Sequence, residues 1–203
     1  RYVRETGRLQ NYYLRGKSKE RILAHCQPFW ADDSTVWFLN DQYGVSRLDY
    51  RQNRLTTVLS GISFQYSTIT RLVWMDVKNQ CIWLRLPQGV MRYEIHTRQR
   101  TYYFTNRRDN HTGDSRTIYA IYGYPDGSAV WVSTNRGLVR INKQGIREYI
   151  QGNAPENDIT YTLTSDHNGR LWAGSTRSGI FVLDTANGQI VQRLQKQAFN
   201  AES

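Results

Sequence analysis

Cysteine is scarce: Cys26 and Cys81 are the only two in 203 residues. They form no CxxC pair, occupy non-equivalent positions of the chain's internal repeat, and are too few for a disulfide framework. Buried free thiols are expected, with the redox compartment left open. No apolar run approaches the ~18 residues of a membrane helix. No basic-then-apolar leader opens the chain, which begins at Arg1 without methionine, so further sequence before it is expected. Sustained 3.6-residue apolar periods are also missing, and β-branched and aromatic runs stand in their place. The histidines His25, His96, His111 and His167 show no metal-ligand spacing, and His167 reads as a turn residue. There is no G-x-S-x-G elbow and no phosphate-cradling loop. A glycosidase needs two carboxylates facing one site. Most acids here fall in turns, and Asp49 and Asp184, at the ends of third strands, read as turn caps. Neither a cofactor, nor a metal, nor catalysis is expected.

What the chain does contain is aromatic and basic. Fourteen Tyr and six Trp, within a hydrophobic content of 39 %, argue for a folded protein. A single domain of this length buries ~70 % of its unfolded surface. Lys and Arg outnumber Asp and Glu, 27 to 17, for a net charge of +10. Such a field favours anionic partners: nucleic acid, sulfated or uronic sugars, or an acidic protein surface. The arginines are scattered, with Arg107-Arg108 the one adjacent basic pair, which argues against nucleic acid and for a solvated basic surface. Asn110-His111-Thr112 fits the glycosylation pattern only formally.

A repeat organises the rest. Asp126-Gly127 opens a turn, Val130-Trp131-Val132 a strand, and Gly137-Leu138-Val139 a second strand. Near-copies run from Trp37 to Gly44, from Trp83 to Gly89 and from Trp172 to Gly179, at intervals of about 40–50 residues. Each copy reads as four strands: an apolar first, a turn rich in Asp, Asn and Gly, a second carrying the tryptophan, a third beginning after the glycine, and a more polar fourth. The glycine is expected to supply positive φ or close backbone approach near the crowded axis. Four-stranded meanders at this period predict an all-β chain, a β-propeller segment of four four-stranded blades. The blades cover about 20–61, 68–106, 115–151 and 158–196, and a C-terminal half-blade at 1–14 starts the chain in mid-repeat. A blade is apolar on both faces and is stable only when stacked, so each tryptophan is expected in the seam between neighbours.

The residues Ile159, Leu163, Asp166, Gly169, Leu171-Trp172, Gly174-Ser175 and Gly179-Ile180 are similar to the two-component regulator propeller repeat, and Asp126-Gly127 through Gly137-Leu138 follows it nearly as well. Repeats one and two depart from the pattern, with Leu39-Asn40 and Arg85-Leu86 in place of its Gly-Thr. The resemblance implies the periplasmic sensor region of a hybrid two-component histidine kinase of Bacteroidetes, which responds to glycans. It implies further blades, a membrane helix and a kinase output domain elsewhere in the same protein, and a homodimer in the full-length form.

Propeller ligands sit at the channel mouth, on the loops between second and third strands and on inter-blade connections. A sugar site needs planar hydrogen-bonding side chains and aromatic faces, and acidic sugars add arginine. The candidates are Tyr43, Arg85, Asn135, Arg136, Thr176 and Arg177, in which Arg85, Arg136 and Arg177 recur at nearby loop positions. Stacked about the axis they would form a cationic rim for carboxylate or sulfate. The competing reading is solvated arginines, or arginines paired with Asp41 and backbone carbonyls. The expected function is recognition of a glycan or other anionic ligand. The alternative is a scaffold that binds protein partners.

Overall fold

In the computed structural model, the residues described are 2–3, 8–9, 26–40, 44–62, 73–106, 113–149 and 158–194. Every regular element among them is a strand, and the chain divides into two compact units, Arg1–Tyr66 and Ser67–Ser203.

The first unit opens on β1 (Tyr2–Val3) and β2 (Arg8–Leu9), an antiparallel pair in the register Tyr2↔Leu9. It continues with β3 (Cys26–Ala31), β4 (Thr35–Asn40), β5 (Gly44–Asp49) and β6 (Arg54–Leu59), which form one up-and-down sheet. Asp32 shapes the β3–β4 turn by accepting the backbone N–H of Ser34 at 2.8 Å and of Thr35 at 2.6 Å. Asp49 caps the β5–β6 turn in the same way, accepting from the backbone N–H groups of Arg51 and Gln52. Trp37 is buried on β4, with the Arg47 guanidinium 5.8 Å from its ring centroid.

The second unit holds three further meanders. They are β7 (Val73–Asp76), β8 (Cys81–Arg85), β9 (Val90–Glu94) and β10 (Arg100–Tyr103); β11 (Ile118–Gly123), β12 (Ala129–Thr134), β13 (Gly137–Asn142) and β14 (Gly145–Tyr149); and β15 (Thr160–Ser165), β16 (Leu171–Ser175), β17 (Ile180–Leu183) and β18 (Ile190–Leu194). The four four-stranded sheets are the blades expected from the repeat. Neighbouring sheets in this unit approach along their first strands, β7 beside β11 and β11 beside β15. The outermost strands are polar, and β14 is exposed at four of its five positions.

Burial on both faces explains why these strands break the usual apolar–polar alternation. All six residues of β12 are buried, because alternate side chains enter different seams. Val130 and Val132 pack with Cys81, Trp83, Val90 and Phe104 of the preceding sheet. Trp131 packs the other way, with Leu163, Leu171, Ala173 and Phe181 of the following one. Trp83 and Trp131 thus fill successive seams, as expected, each against an outer-strand tyrosine, Tyr103 stacked at 5.5 Å and Tyr149 tilted at 5.0 Å. Removing an aromatic side chain of 150–250 Å² from water at ~25 cal/mol/Å² contributes roughly 4–6 kcal/mol before ordering costs. Trp172, in the last sheet, is half-buried and donates its Nε1 to Asp166 at 3.0 Å. Polar bonds also cross the seams: Asn79 donates to the Gly127 carbonyl at 2.9 Å, and Ser133 to the Thr160 carbonyl at 2.8 Å.

The loop glycine behaves differently from expectation in one respect. Gly89 does adopt positive φ, +80°, but it is crowded by the end of its own outer strand rather than by the axis. A Cβ there would lie 2.3 Å from the Tyr103 carbonyl oxygen and 2.4 Å from that of Phe104.

Candidate functional site

In an up-and-down sheet the turn from second to third strand shares one end with the connection entering the first strand. In the second unit this end carries the loops after β8, β12 and β16, together with the approaches to β11 and β15. Two of these loops are tied to the incoming chain by one device. Asn135 accepts the Thr117 N–H on its side-chain oxygen at 3.2 Å, while its own N–H reaches the Thr117 carbonyl at 3.1 Å. Thr176 repeats this with Ile159, at 3.1 and 3.0 Å. Asp158 completes the second clamp, accepting from the Arg177 N–H at 2.9 Å and the Ser178 N–H at 3.3 Å. Burial pushes its carboxyl pKa up, but the bonds from Ser178, Arg177 and Thr176 outweigh that and hold it below the ordinary value. Asn135 and Thr176 therefore fix the loops.

Arg136 and Arg85 meet different partners. Arg136 is exposed and pairs with Asp114 at 3.3 Å. Asp114 is shared with Arg116, at 2.7 Å, whose guanidinium also reaches Glu148 at 2.5 Å and lies 4.7 Å from the Phe104 ring centroid. Arg116 is only 6 % exposed, so this network is a buried anchor for the connection into β11. Arg85 is half-buried at the end of β8. Burial lowers its pKa, and the phenolic groups of Tyr119 and Tyr161 act in the opposite sense. Arg177 is exposed, with its backbone on Asp158. Tyr43 lies outside the described residues. The arginine positions recur along the chain, but their environments do not.

Tyr119 and Tyr161 escaped the sequence reading. They sit at equivalent points of β11 and β15, each skipped in the pairing register by a β-bulge, between Ile118 and Ala120 and between Thr160 and Thr162. A bulge re-aims one side chain out of the alternating pattern. Their rings meet edge to face, 5.6 Å apart at 72°. Burial raises both the Tyr103 and Tyr119 pKa values, and at Tyr119 the Arg85 charge pulls the other way. The recurring Tyr one residue into the first strand was the available signal. The result is a pair of touching aromatic rings from two consecutive blades, with the charge of Arg85 from the preceding blade acting on both. It can stack on a flat apolar face while binding an anionic oxygen.

Among the described residues no three His, Cys, Asp or Glu side chains converge to hold a metal ion. No described helix is long and apolar enough to cross a membrane.

No curated protein sequence matches the chain. Solved structures do. The extracellular domain of the hybrid two component system BT4673 from B. thetaiotaomicron superposes with a TM-score of 0.59 at 20 % identity, over 92 % of this chain and 24 % of that one. The corresponding domain of BT3049 from the same organism gives 0.55 at 20 % identity, over 83 % and 24 %. PorZ, a bacterial surface component of the type-IX secretion system of Porphyromonas gingivalis, gives 0.56 at 12 % identity, over 83 % and 27 %. The chain thus spans about a quarter of the length of these structures. Residues 153–177 match the family described as two component regulator propeller. That match covers one repeat of the chain, and the four four-stranded sheets are blades of a β-propeller fold.

Proposed function

We propose that this chain is a ligand-sensing propeller segment of the extracytoplasmic, periplasmic region of a hybrid two-component sensor, and that its ligand is an acidic glycan or oligosaccharide. The observation that carries the reading is the edge-to-face pair of Tyr119 and Tyr161 at the loop end of two successive blades, on which the charge of Arg85 from the blade before them acts. Sugar rings stack on aromatic faces, and a guanidinium takes a carboxylate or sulfate in a geometry that a neutral side chain cannot offer. The regulator-propeller repeat and the extracellular sensor domains among the structural neighbours support the sensor role. On this reading the chain is not an enzyme. Binding biases the packing of blades or of the two subunits of a homodimer, and the bias passes to a kinase output domain in the same protein.

The experiment is a calorimetric screen of the intact protein against neutral and acidic oligosaccharides. Saturable binding of acidic members is the expected result. Binding of none would remove the glycan claim. The likeness to PorZ, a component of a secretion system, favours the second reading in that event: a scaffold that engages a protein partner.

A further inference from the structure

At the opposite end of the same unit, between the second and third blades, lies a cavity of about 210 Å³. Its floor is apolar, formed by Ala129, Val130 and Ile141, all buried. Trp83 and Tyr103 wall it on one blade, with Arg92 beside them, and Asn142 at the end of β13 and Lys143 in the β13–β14 turn belong to the other. The turns carrying Asp76, Asn79 and Gly127 close the rim. Everything in the lining belongs to Ser67–Ser203, and none of it belongs to the Arg85 cluster.

We propose that this seam cavity binds a small organic carboxylate, with its hydrocarbon part on Val130 and Ile141 and its carboxylate toward Lys143 and Arg92. Size sets the first limit. Drug-sized ligands occupy roughly 300–1,000 Å³, and a water takes about 30 Å³, so this cavity suits a molecule of a few to about ten heavy atoms. Hydrogen-bonding capacity sets the second. The cavity's one carboxylate, Asp76, already accepts from Asn79 on both oxygens, at 3.0 and 2.9 Å. The Asn142 side-chain oxygen likewise accepts from the Gln144 N–H at 2.9 Å. What remains is a surplus of donors. Lys143 is exposed and makes no ion pair among the described residues. Arg92 pairs with Glu94 at 2.6 Å and also hydrogen-bonds the Cys81 side chain, leaving part of its five-donor fork for a ligand. The buried Trp83 Nε1 has no acceptor among the described residues. An indole N–H can only donate, and a buried donor left unpaired costs about 1–3 kcal/mol. A site with an unpaired ammonium, remaining guanidinium N–H donors and an apolar floor selects an anionic acceptor attached to a compact apolar body.

Benzoate is the probe, with benzamide as its neutral counterpart. The intact protein, labelled with 5-fluorotryptophan, is titrated with each by calorimetry and by fluorine NMR, the Trp83 resonance being identified as the one lost in Trp83→Phe. Benzoate should bind saturably at or below about 10 mM and shift the Trp83 resonance, while benzamide binds about tenfold or more weakly, the ratio expected for one charge-assisted hydrogen bond. Lys143→Ala, a surface change, should weaken benzoate by a similar factor, and Lys143→Arg should keep most of the affinity. Equal binding of benzamide, benzoate binding indifferent to Lys143→Ala, a silent Trp83 resonance, or no saturation would each overturn the proposal. None of these results bears on glycan binding at Arg85, because the two sites lie at opposite ends of the blades.

Discussion

Gly188, in the β17–β18 hairpin, lies directly against the ring of Tyr149 on the outer strand of the preceding blade. A Cβ at that position would come within 2.0 Å of Tyr149 Cε1. The seam is therefore closed by backbone on one side and an aromatic ring on the other.

Gly188→Ala should destabilise the chain by about 2–4 kcal/mol, combining the strain of a side chain at φ +78° with overpacking of the seam. Gly169→Ala provides the comparison. Its φ is +74° but nothing lies within 4 Å of a built Cβ, so only the backbone cost of about 1–2 kcal/mol applies. Urea unfolding of both variants gives the difference, which isolates the packing contribution.

Seam tryptophans should be unequal in the same measurement. Trp131 is fully buried between two blades, and Trp131→Ala should cost about 3–5 kcal/mol. Trp172 is half-buried and held by Asp166, so Trp172→Ala should cost clearly less. An equal cost would mean that the indole of the third blade does not hold the seam.

Cys81 should resist modification. It is fully buried, and burial pushes its thiol pKa to about 11 despite the nearby Arg92 charge. The nucleophile is the thiolate, which at pH 8 is then about one part in a thousand. Iodoacetamide labelling of Cys81, followed by mass spectrometry, should be negligible in the native protein and rapid in urea.

Acid should unfold the chain through its turns. Asp32, held by the Ser34 N–H, Asp126, held by the Ser128 N–H, and Asp166, held by the Trp172 indole, all have pKa values below the ordinary 3.8. Between the folded and unfolded pKa values the unfolded chain binds more protons, so stability is complete above about pH 4 to 5 and falls as pH drops through the folded values. Urea midpoints measured from pH 6 down to pH 2 should show that decline, and Asp32→Asn should make it shallower.

Much of the fold was legible because the repeat couples local and tertiary demands at the same residues. Asp and Gly fix the turns, the tryptophan needs a neighbour on which to lie, and the spacing between copies sets one sheet per copy. Asn135 and Thr176 were legible as loop residues, but their use as clamps depends on where Thr117 and Ile159 arrive. The partners of Arg85 were hidden for a more specific reason. Strand alternation assigns each side chain to a face, and the bulges at Tyr119 and Tyr161 break that alternation where the blades converge. The seam cavity could not be read at all, since its lining comes from six strands and three turns of two blades brought together only by stacking.

The most direct test of ligand sensing at the loop end compares a uronic-acid oligosaccharide with its carboxyl-reduced form, by calorimetry on the intact protein and on Arg85→Ala. The acidic sugar should bind the unmodified protein and lose about tenfold or more in affinity on Arg85→Ala, with the reduced sugar weak and indifferent to the substitution. Equal losses for both sugars, or acidic binding unchanged by the loss of Arg85, would contradict the assignment.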